Sequence, residues 1–157
     1  MKIYINSGEG EGPTRKAAFD NALWKIGIAN YNIIPLSSII PEGSEILEEK
    51  IDWNDREHGH RLYVVMAESY AESPGENAAA GIGWIWEERE NGKGIFVEIV
   101  GKSREEVSED IKKSLLSMAS YRPEKYGDPN IRISETECRS DVACALVVAV
   151  YKSEGWE

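Results

Sequence analysis

The chain has 157 residues and a mass of 17.6 kDa, enough for one domain that buries its own hydrophobic core. Hydrophobic residues make up 41% of the sequence, which excludes a disordered chain. Acidic residues outnumber basic ones by 28 to 18 and give a formal charge of −10, so we expect neither nucleic acid nor an anionic membrane as a partner.

A strand and a glycine-rich stretch are predicted at the start of the chain. Residues 2–6 have the pattern of a short strand. The stretch that follows, residues 7–13, invites comparison with a dinucleotide-binding loop, but Pro13 stands at the position of its third glycine. Glu9 and Glu11 would also repel a phosphate. We therefore predict a mobile loop rather than a nucleotide site.

A helix is predicted over residues 14–26, with Gly27 as its C-terminal stop. Its apolar residues fall on one face at helical spacing, and they are Phe19, Ala22, Leu23 and Ile26. Asp20 lies at the margin of that face. By position alone it is a surface aspartate, which Lys16 can pair with one helical turn away.

Two adjacent serines, Ser37 and Ser38, lie in an apolar run between Pro35 and Pro41. Such a run between breaker residues is typical of a buried strand, where a hydroxyl needs a hydrogen-bond partner. The prolines restrict the backbone on both sides, and constrained backbone is common where chemistry occurs. The run is therefore either a strand end or turn whose serines bond nearby backbone, or a reactive segment.

Residues 42–60 are charged and show no clean period, which predicts a surface loop. His58 and His60 lie in this stretch without a carboxylate or cysteine in register. We therefore predict no metal site there.

Three strands are predicted in the middle of the chain, at residues 61–68, 78–87 and 95–100. The Asn91-Gly92 pair is a turn signal between the second and third of these strands. The sequence thus predicts a hairpin.

Glu98 lies in the third of these strands and shares a face with Phe96 and Val100. Both faces of the strand are otherwise apolar, so its carboxyl is predicted to be at least partly desolvated. Desolvation favours the protonated form, which makes this residue a competent proton donor near neutral pH. The alternative is a glutamate on an edge strand that points to solvent.

The last third of the chain is predicted to contain one helix and two strands. Ser103 and Glu106 have the spacing of a capping box, which marks the start of the helix. The strands follow at residues 130–137 and 142–151. The order of elements predicts a mixed sheet with helices packed on it, within a single domain of residues 1–157.

The cysteines and apolar runs predict a reduced, cytoplasmic protein with no membrane partner. Cys138 and Cys144 are not in Cys-x-x-Cys spacing, and Cys144 has the setting of a small core residue. The apolar run around it, residues 142–150, is shorter than the about 20 residues that cross a bilayer. Residues 1–5 lack the longer apolar region of a signal peptide.

Two motifs resemble those of a known family, the pyruvoyl-dependent arginine decarboxylases. They are Ala18-Phe19-Asp20-x-Ala22-Leu23 and Asn30-x-Asn32-Ile33-Ile34-x-x-Ser37-Ser38-Ile39-Ile40-Pro41. The resemblance covers most of the chain, from Gly8 to Tyr151. It implies an α+β fold, namely a four-layer α-β-β-α sandwich of mixed and antiparallel sheets. It also implies a homotrimer or a pair of trimers with active sites between subunits.

The resemblance further implies an activity and a self-made cofactor. The bond between Ser37 and Ser38 would break by itself, leaving residues 1–37 and residues 38–157 with a covalent pyruvoyl group made from Ser38. Arginine would then be converted to agmatine and carbon dioxide. The implied side-chain roles are a proton donor (Glu98), a partner of the substrate guanidinium (Asp20), pocket residues (Leu23, Ile39) and a hydrogen-bond donor to an oxyanion or to the substrate carboxylate (Asn32).

Two other functions fit the same residues. A pyruvoyl-dependent decarboxylase of another amino acid would differ only in Asp20 and a few apolar contacts. A family member that is no longer processed would instead bind a ligand or a protein partner.

Overall fold

The computed structural model describes residues 1–51 and 55–157. Its strands are β1 (Lys2–Gly12), β2 (Asn32–Pro35), β3 (Ile39–Ile40), β4 (Glu45–Leu47), β5 (Arg61–Ala71), β6 (Asn77–Trp86), β7 (Gly94–Gly101), β8 (Asn130–Glu137) and β9 (Val142–Glu154). Its α-helices are α1 (Arg15–Ile26) and α2 (Arg104–Ser120), and a 3-10 turn lies at Asp55–Glu57.

The strands form two sheets that pack face to face. One sheet has the order β2-β5-β9-β1-β4 and the other the order β3-β7-β6-β8. Alternate residues of the central strands interdigitate between the sheets, as in other sheet-on-sheet cores. The buried side chains of this layer include Ile5, Ile82, Phe96 and Val147.

Each sheet carries one helix on its outer face. Ala22, Leu23 and Ile26 of α1 pack on the five-stranded sheet, and Val107, Ile111 and Leu115 of α2 pack on the four-stranded sheet. The four layers are therefore α-β-β-α, and the α+β fold class expected from the sequence is confirmed. No helix of the described ranges, residues 1–51 and 55–157, is long and apolar enough to cross a membrane.

Both predicted helices form where their capping residues place them. The Thr14 hydroxyl accepts a hydrogen bond from the Ala17 N–H at 3.2 Å, and Gly27 ends α1 at a φ of 96°. The Ser103 hydroxyl accepts from the Glu106 N–H at 3.2 Å. The Glu106 carboxylate, however, accepts from the N–H of Lys102 rather than from that of Ser103.

The predicted mobile loop at residues 7–13 is wrong, because β1 continues through it as far as Gly12. A Cβ on Gly10 would lie 2.3 Å from the Ala22 nitrogen and 2.4 Å from the Ala18 oxygen. The glycine therefore allows α1 to lie directly on the strand, which no larger residue would permit. Helix packing, not a ligand, accounts for the glycines at this place.

The charged stretch at residues 42–60 is a loop only in part. Glu45–Leu47 forms strand β4, which pairs in parallel with β1. Residues 52–54 of the predicted loop lie outside the described residues. The final strand, β9, ends at Glu154 rather than at residue 151. Cys144 is buried, as the sequence predicts, and Cys138 is buried as well.

Candidate active site

The Ser37–Ser38 bond lies where the chain crosses from one sheet to the other. Before it, β2 pairs with β5, and the Leu36 N–H donates to the Val64 carbonyl at 2.7 Å. After it, β3 pairs with β7, and the Ser38 carbonyl accepts from the Phe96 N–H at 2.8 Å. The serines thus lie between two strand ends, as one of the alternatives left open by the sequence has it. The two serines form the bridge between two strands of different sheets.

A tight turn brings backbone groups onto the serine pair. The Ile39 N–H donates to the Ser37 carbonyl oxygen at 3.1 Å, which is the hydrogen bond of a γ-turn centred on Ser38. This bond polarises the carbonyl whose carbon precedes the Ser38 nitrogen. It also points a donor at the oxygen that would become negative if that carbon were attacked.

Ser38 is paired with a carboxylate from the facing strand. Its Oγ lies 2.6 Å from Oε2 of Glu98 and donates a hydrogen bond to it. Ser38 is half-buried and Ser37 is exposed. The structure thus brings together two residues that are 60 positions apart in the sequence and were each singled out there.

The predicted desolvation of Glu98 is wrong, because the residue is exposed. Strand β7 pairs with β3 only at Gly94 and Ile95, so its later residues lie on an edge of the sheet. The face assignment itself is confirmed. Phe96, on the same face, is fully buried between the sheets, whereas Val100 is 51% exposed at the rim. Glu98 lies between them, at the boundary between the buried and the exposed part of this face.

Asn32 directs its hydrogen bonds away from the serine pair. Its Nδ2 donates to the Gly59 carbonyl at 2.7 Å, and its own N–H donates to the His60 carbonyl at 2.8 Å. The side chain thus ties β2 to the turn that precedes β5. The expected role at an oxyanion stays a prediction, and in this chain the Ile39 N–H is the group that reaches the Ser37 oxygen.

Asp20 and Leu23 lie in a different layer from the serine pair. Asp20 is exposed on α1, on the outer face of the five-stranded sheet, whereas Glu98 belongs to the other sheet. Leu23 is only 5% exposed, since it packs against the sheet beneath its own helix. Their expected roles in substrate binding stay predictions, because within one copy of the chain these two residues and the serine pair lie in different layers.

One of the two basic residues near Asp20 in the sequence is neutralised by an acidic side chain. Arg15 forms an ion pair with Glu72 and stacks over the Tyr70 ring at 5.0 Å. Within residues 1–51 and 55–157, Asp20 makes no ion pair, including the expected one with Lys16. Its carboxylate is available to a cation from outside the chain.

Some groups at the serine pair are not visible in the sequence pattern. The N–H groups of Ile39 and Phe96 are backbone donors, which no residue type reveals. Tyr151 donates its hydroxyl hydrogen to the Ile39 carbonyl at 2.8 Å. Its signal in the sequence was weak: a polar ring tip at the end of an apolar strand. The Ile39 side chain itself is 54% exposed next to the pair.

This arrangement has the parts of an intramolecular acyl shift. A hydroxyl nucleophile, a carboxylate that orients it, and a donor on the adjacent carbonyl oxygen lie on one constrained turn. The fold and the site together define a class of two-sheet α+β proteins with a serine pair at the crossover between the sheets.

Comparison with known proteins identifies the family. Residues 2–155 match the model of the family described as pyruvoyl-dependent arginine decarboxylase. The chain belongs to this family.

Several curated relatives are similar over most of their length. A pyruvoyl-dependent arginine decarboxylase of Thermococcus kodakarensis is 30% identical over 154 residues, which covers 95% of this chain and 93% of the relative. A protein of the same name from Pyrococcus abyssi is 31% identical over 150 residues, covering 95% and 93%. One from Methanothermobacter thermautotrophicus is 33% identical over 121 residues, covering 77% and 74%.

Proposed function

We propose that this protein cuts itself between Ser37 and Ser38 and then decarboxylates arginine to agmatine and carbon dioxide. The observation that carries the proposal is the hydrogen bond between Ser38 Oγ and Glu98 Oε2 at 2.6 Å, on a turn whose Ser37 carbonyl is already held by a donor. Family membership supports the decarboxylation of arginine, since the similar proteins are named pyruvoyl-dependent arginine decarboxylases.

The cleavage needs only groups that lie on the chain. Ser38 Oγ attacks the Ser37 carbonyl carbon, the Ile39 N–H stabilises the charge that develops on the oxygen, and the hydroxyl proton ends on the released Ser38 amine. The product is an ester. Loss of the Ser38 α-proton then expels the Ser37 carboxylate, and water replaces the remaining nitrogen as ammonia, which leaves a ketone at position 38.

The crossover supplies the geometry for this attack. The segment is anchored to β5 before the serines and to β7 after them, so nucleophile and carbonyl are held together in one short turn. Effective molarities of about 10⁵ M or more are typical of well-oriented intramolecular reactions, and they can replace a strong external base. Glu98 then has the role of orienting the hydroxyl.

The residues around Ser38 also fit the group that would form there. The ketone of a pyruvoyl group would supply an electron sink for the loss of carbon dioxide from an amino acid. Glu98 stands next to that position and is exposed, so it can reach a bound substrate and protonate its α-carbon. A carboxylate at Asp20 matches the planar guanidinium of arginine.

The separation of Asp20 from Glu98 calls for more than one copy of the chain. The two residues lie in different layers of the sandwich, so a substrate that touches both would sit between subunits. A homotrimer or a pair of trimers is the assembly proposed here. Closed rings of this kind use a heterologous contact, in which two different surfaces of the chain meet.

The covalent state of the Ser37–Ser38 bond tests the proposal directly. After prolonged incubation we expect intact mass spectrometry to show two pieces, residues 1–37 and residues 38–157, the second with a carbonyl that reacts with hydroxylamine. Carbon dioxide should be released from arginine and not from lysine, ornithine or aspartate. Release from one of those instead would change the substrate. A persistent 17.6 kDa species without a carbonyl would favour a binding protein.

Replacing Asp20 with asparagine should separate substrate binding from self-cleavage. Because the change removes the charge that would face the guanidinium, we expect kcat/KM for arginine to fall about 30-fold, in line with about 2 kcal/mol for a charge-assisted hydrogen bond. The rate of cleavage should match that of the unchanged chain. Steady-state kinetics and gel analysis measure the two effects.

A matched control is Asp110→Asn, the same change on the other helix. It should alter neither rate. Equal kcat/KM in the Asp20 variant and the unchanged protein would remove Asp20 from the substrate site.

A further inference from the structure

Tyr151 lies at an irregularity of β9 and reaches the serine segment. Tyr63 of β5 pairs with Lys152, and the next residue, Val64, pairs with Val150. Tyr151 is therefore an extra residue of β9 that has no partner on β5. Such a β-bulge bends a strand locally and redirects a side chain. The redirected hydroxyl donates to the Ile39 carbonyl at 2.8 Å.

The Tyr151 ring is packed against the residue that holds the other carbonyl of the segment. Its centroid lies 6.2 Å from that of Phe96, with an interplanar angle of 57°. The Phe96 N–H donates to the Ser38 carbonyl at 2.8 Å. Two successive carbonyls after the reactive bond are therefore fixed by two residues that touch each other.

These two bonds fix the orientation of the groups that react. The Ser38 carbonyl and the Ile39 N–H belong to one planar peptide unit, so the bond from Phe96 at one end aligns the donor to Ser37 at the other end. The Tyr151 hydroxyl holds the next peptide unit and so limits rotation at Ile39. Strand β3 has only two residues, and its own ladder is too short to do this alone.

We propose that Tyr151 is a positioning residue for self-cleavage, holding the turn that carries both the Ser38 hydroxyl and the Ser37 carbonyl. The inference rests on the proposed function and adds to it a group that acts through the backbone of Ile39. The hydroxyl remains a donor at alkaline pH, because burial, with a smaller effect of the Glu98 carboxylate, raises the pKa of Tyr151.

Tyr151→Phe tests the proposal, since it removes the hydroxyl and keeps the ring against Phe96. We expect the first-order rate of cleavage to fall about tenfold, which corresponds to about 1.4 kcal/mol. The melting temperature should fall by no more than about 4 °C, as for one lost hydrogen bond in a chain of this length. The matched control is Tyr63→Phe. Tyr63 and Tyr151 line one cavity of about 260 Å³, and the Tyr63 hydroxyl donates a hydrogen bond to Glu154 at 3.2 Å rather than to the serine segment.

A second measurement uses excess hydroxylamine, which cleaves the ester as it forms and so reports the attack by itself. If Tyr151 positions the attack, cleavage of the Tyr151→Phe variant should be about tenfold slower both with and without hydroxylamine. Cleavage of the Tyr63→Phe variant should not be slower under either condition. The inference is overturned by an unchanged rate, by slowing that hydroxylamine abolishes, or by equal slowing in the control. If the protein without any substitution never cuts itself, the proposed function is refuted as well. This outcome is distinguishable from the others because it does not depend on Tyr151.

Discussion

Ser38→Ala is expected to leave the chain whole at 17.6 kDa, with no carbonyl for hydroxylamine and no release of carbon dioxide from arginine. The variant lacks the only hydroxyl that bonds to Glu98 within residues 1–51 and 55–157, and with it the nucleophile of the cleavage. Without cleavage no ketone can form at position 38, so the loss of activity should be complete rather than partial. Intact mass and a carbon dioxide assay on the same preparation measure both effects.

Ser37→Ala is the matched control for that variant. Ser37 contributes its carbonyl carbon to the reaction, and its exposed hydroxyl makes no hydrogen bond within the described part of the chain. This variant should therefore be cut at close to the rate of the unchanged protein. Cleavage of the Ser38 variant at the same bond would rule out the proposed nucleophile.

Elements with local signals could be predicted from the sequence. Thr14 and Gly27 bound α1 because capping depends on residues next to the helix ends. Strand β8 coincides with its predicted range, residues 130–137, because its alternating pattern is self-contained. The loop predicted from the glycines of β1 is wrong, because these glycines allow a helix to approach the strand, and the local pattern carries no information about that helix.

The candidate site depended on pairings that the sequence does not encode locally. Nothing in the run from Pro35 to Pro41 says that its two ends join different sheets. Glu98 lies in a strand that is apolar on both faces, but the covering layer stops short of it, so the expected burial failed. Burial of one residue in a strand depends on how far its neighbour strands extend, and β3 extends for only two residues.

The residue types at the site, in contrast, can be identified from the sequence. Serine and glutamate in apolar runs are exceptions to the pattern around them, and exceptions of this kind are common where a protein carries out chemistry. Backbone donors are not exceptions in any sequence. The Ile39 and Phe96 N–H groups therefore become visible only once the crossover is built.

Glu98→Gln should separate the two reactions of the proposed enzyme. The glutamine oxygen can still accept the Ser38 hydrogen bond, and the attack is intramolecular, so we expect cleavage to slow by less than about tenfold. Glutamine cannot give a proton to the substrate α-carbon. Decarboxylation by the fully cut variant should therefore fall at least about 100-fold, the lower range for loss of a general acid. Activity is measured per mole of carbonyl, which removes any difference in processing.

Glu137→Gln provides the matched control, because Glu137 is an exposed glutamate on β8, which flanks β6 on the side opposite β7. It should leave both rates unchanged. Full turnover by the cut Glu98 variant would remove Glu98 as the proton donor. If that variant instead failed to cut at all, the carboxylate would have to accept the Ser38 proton during the attack, and orientation of the hydroxyl alone would not suffice. The short contact between Ser38 and Glu98 makes this distinction accessible to a single substitution.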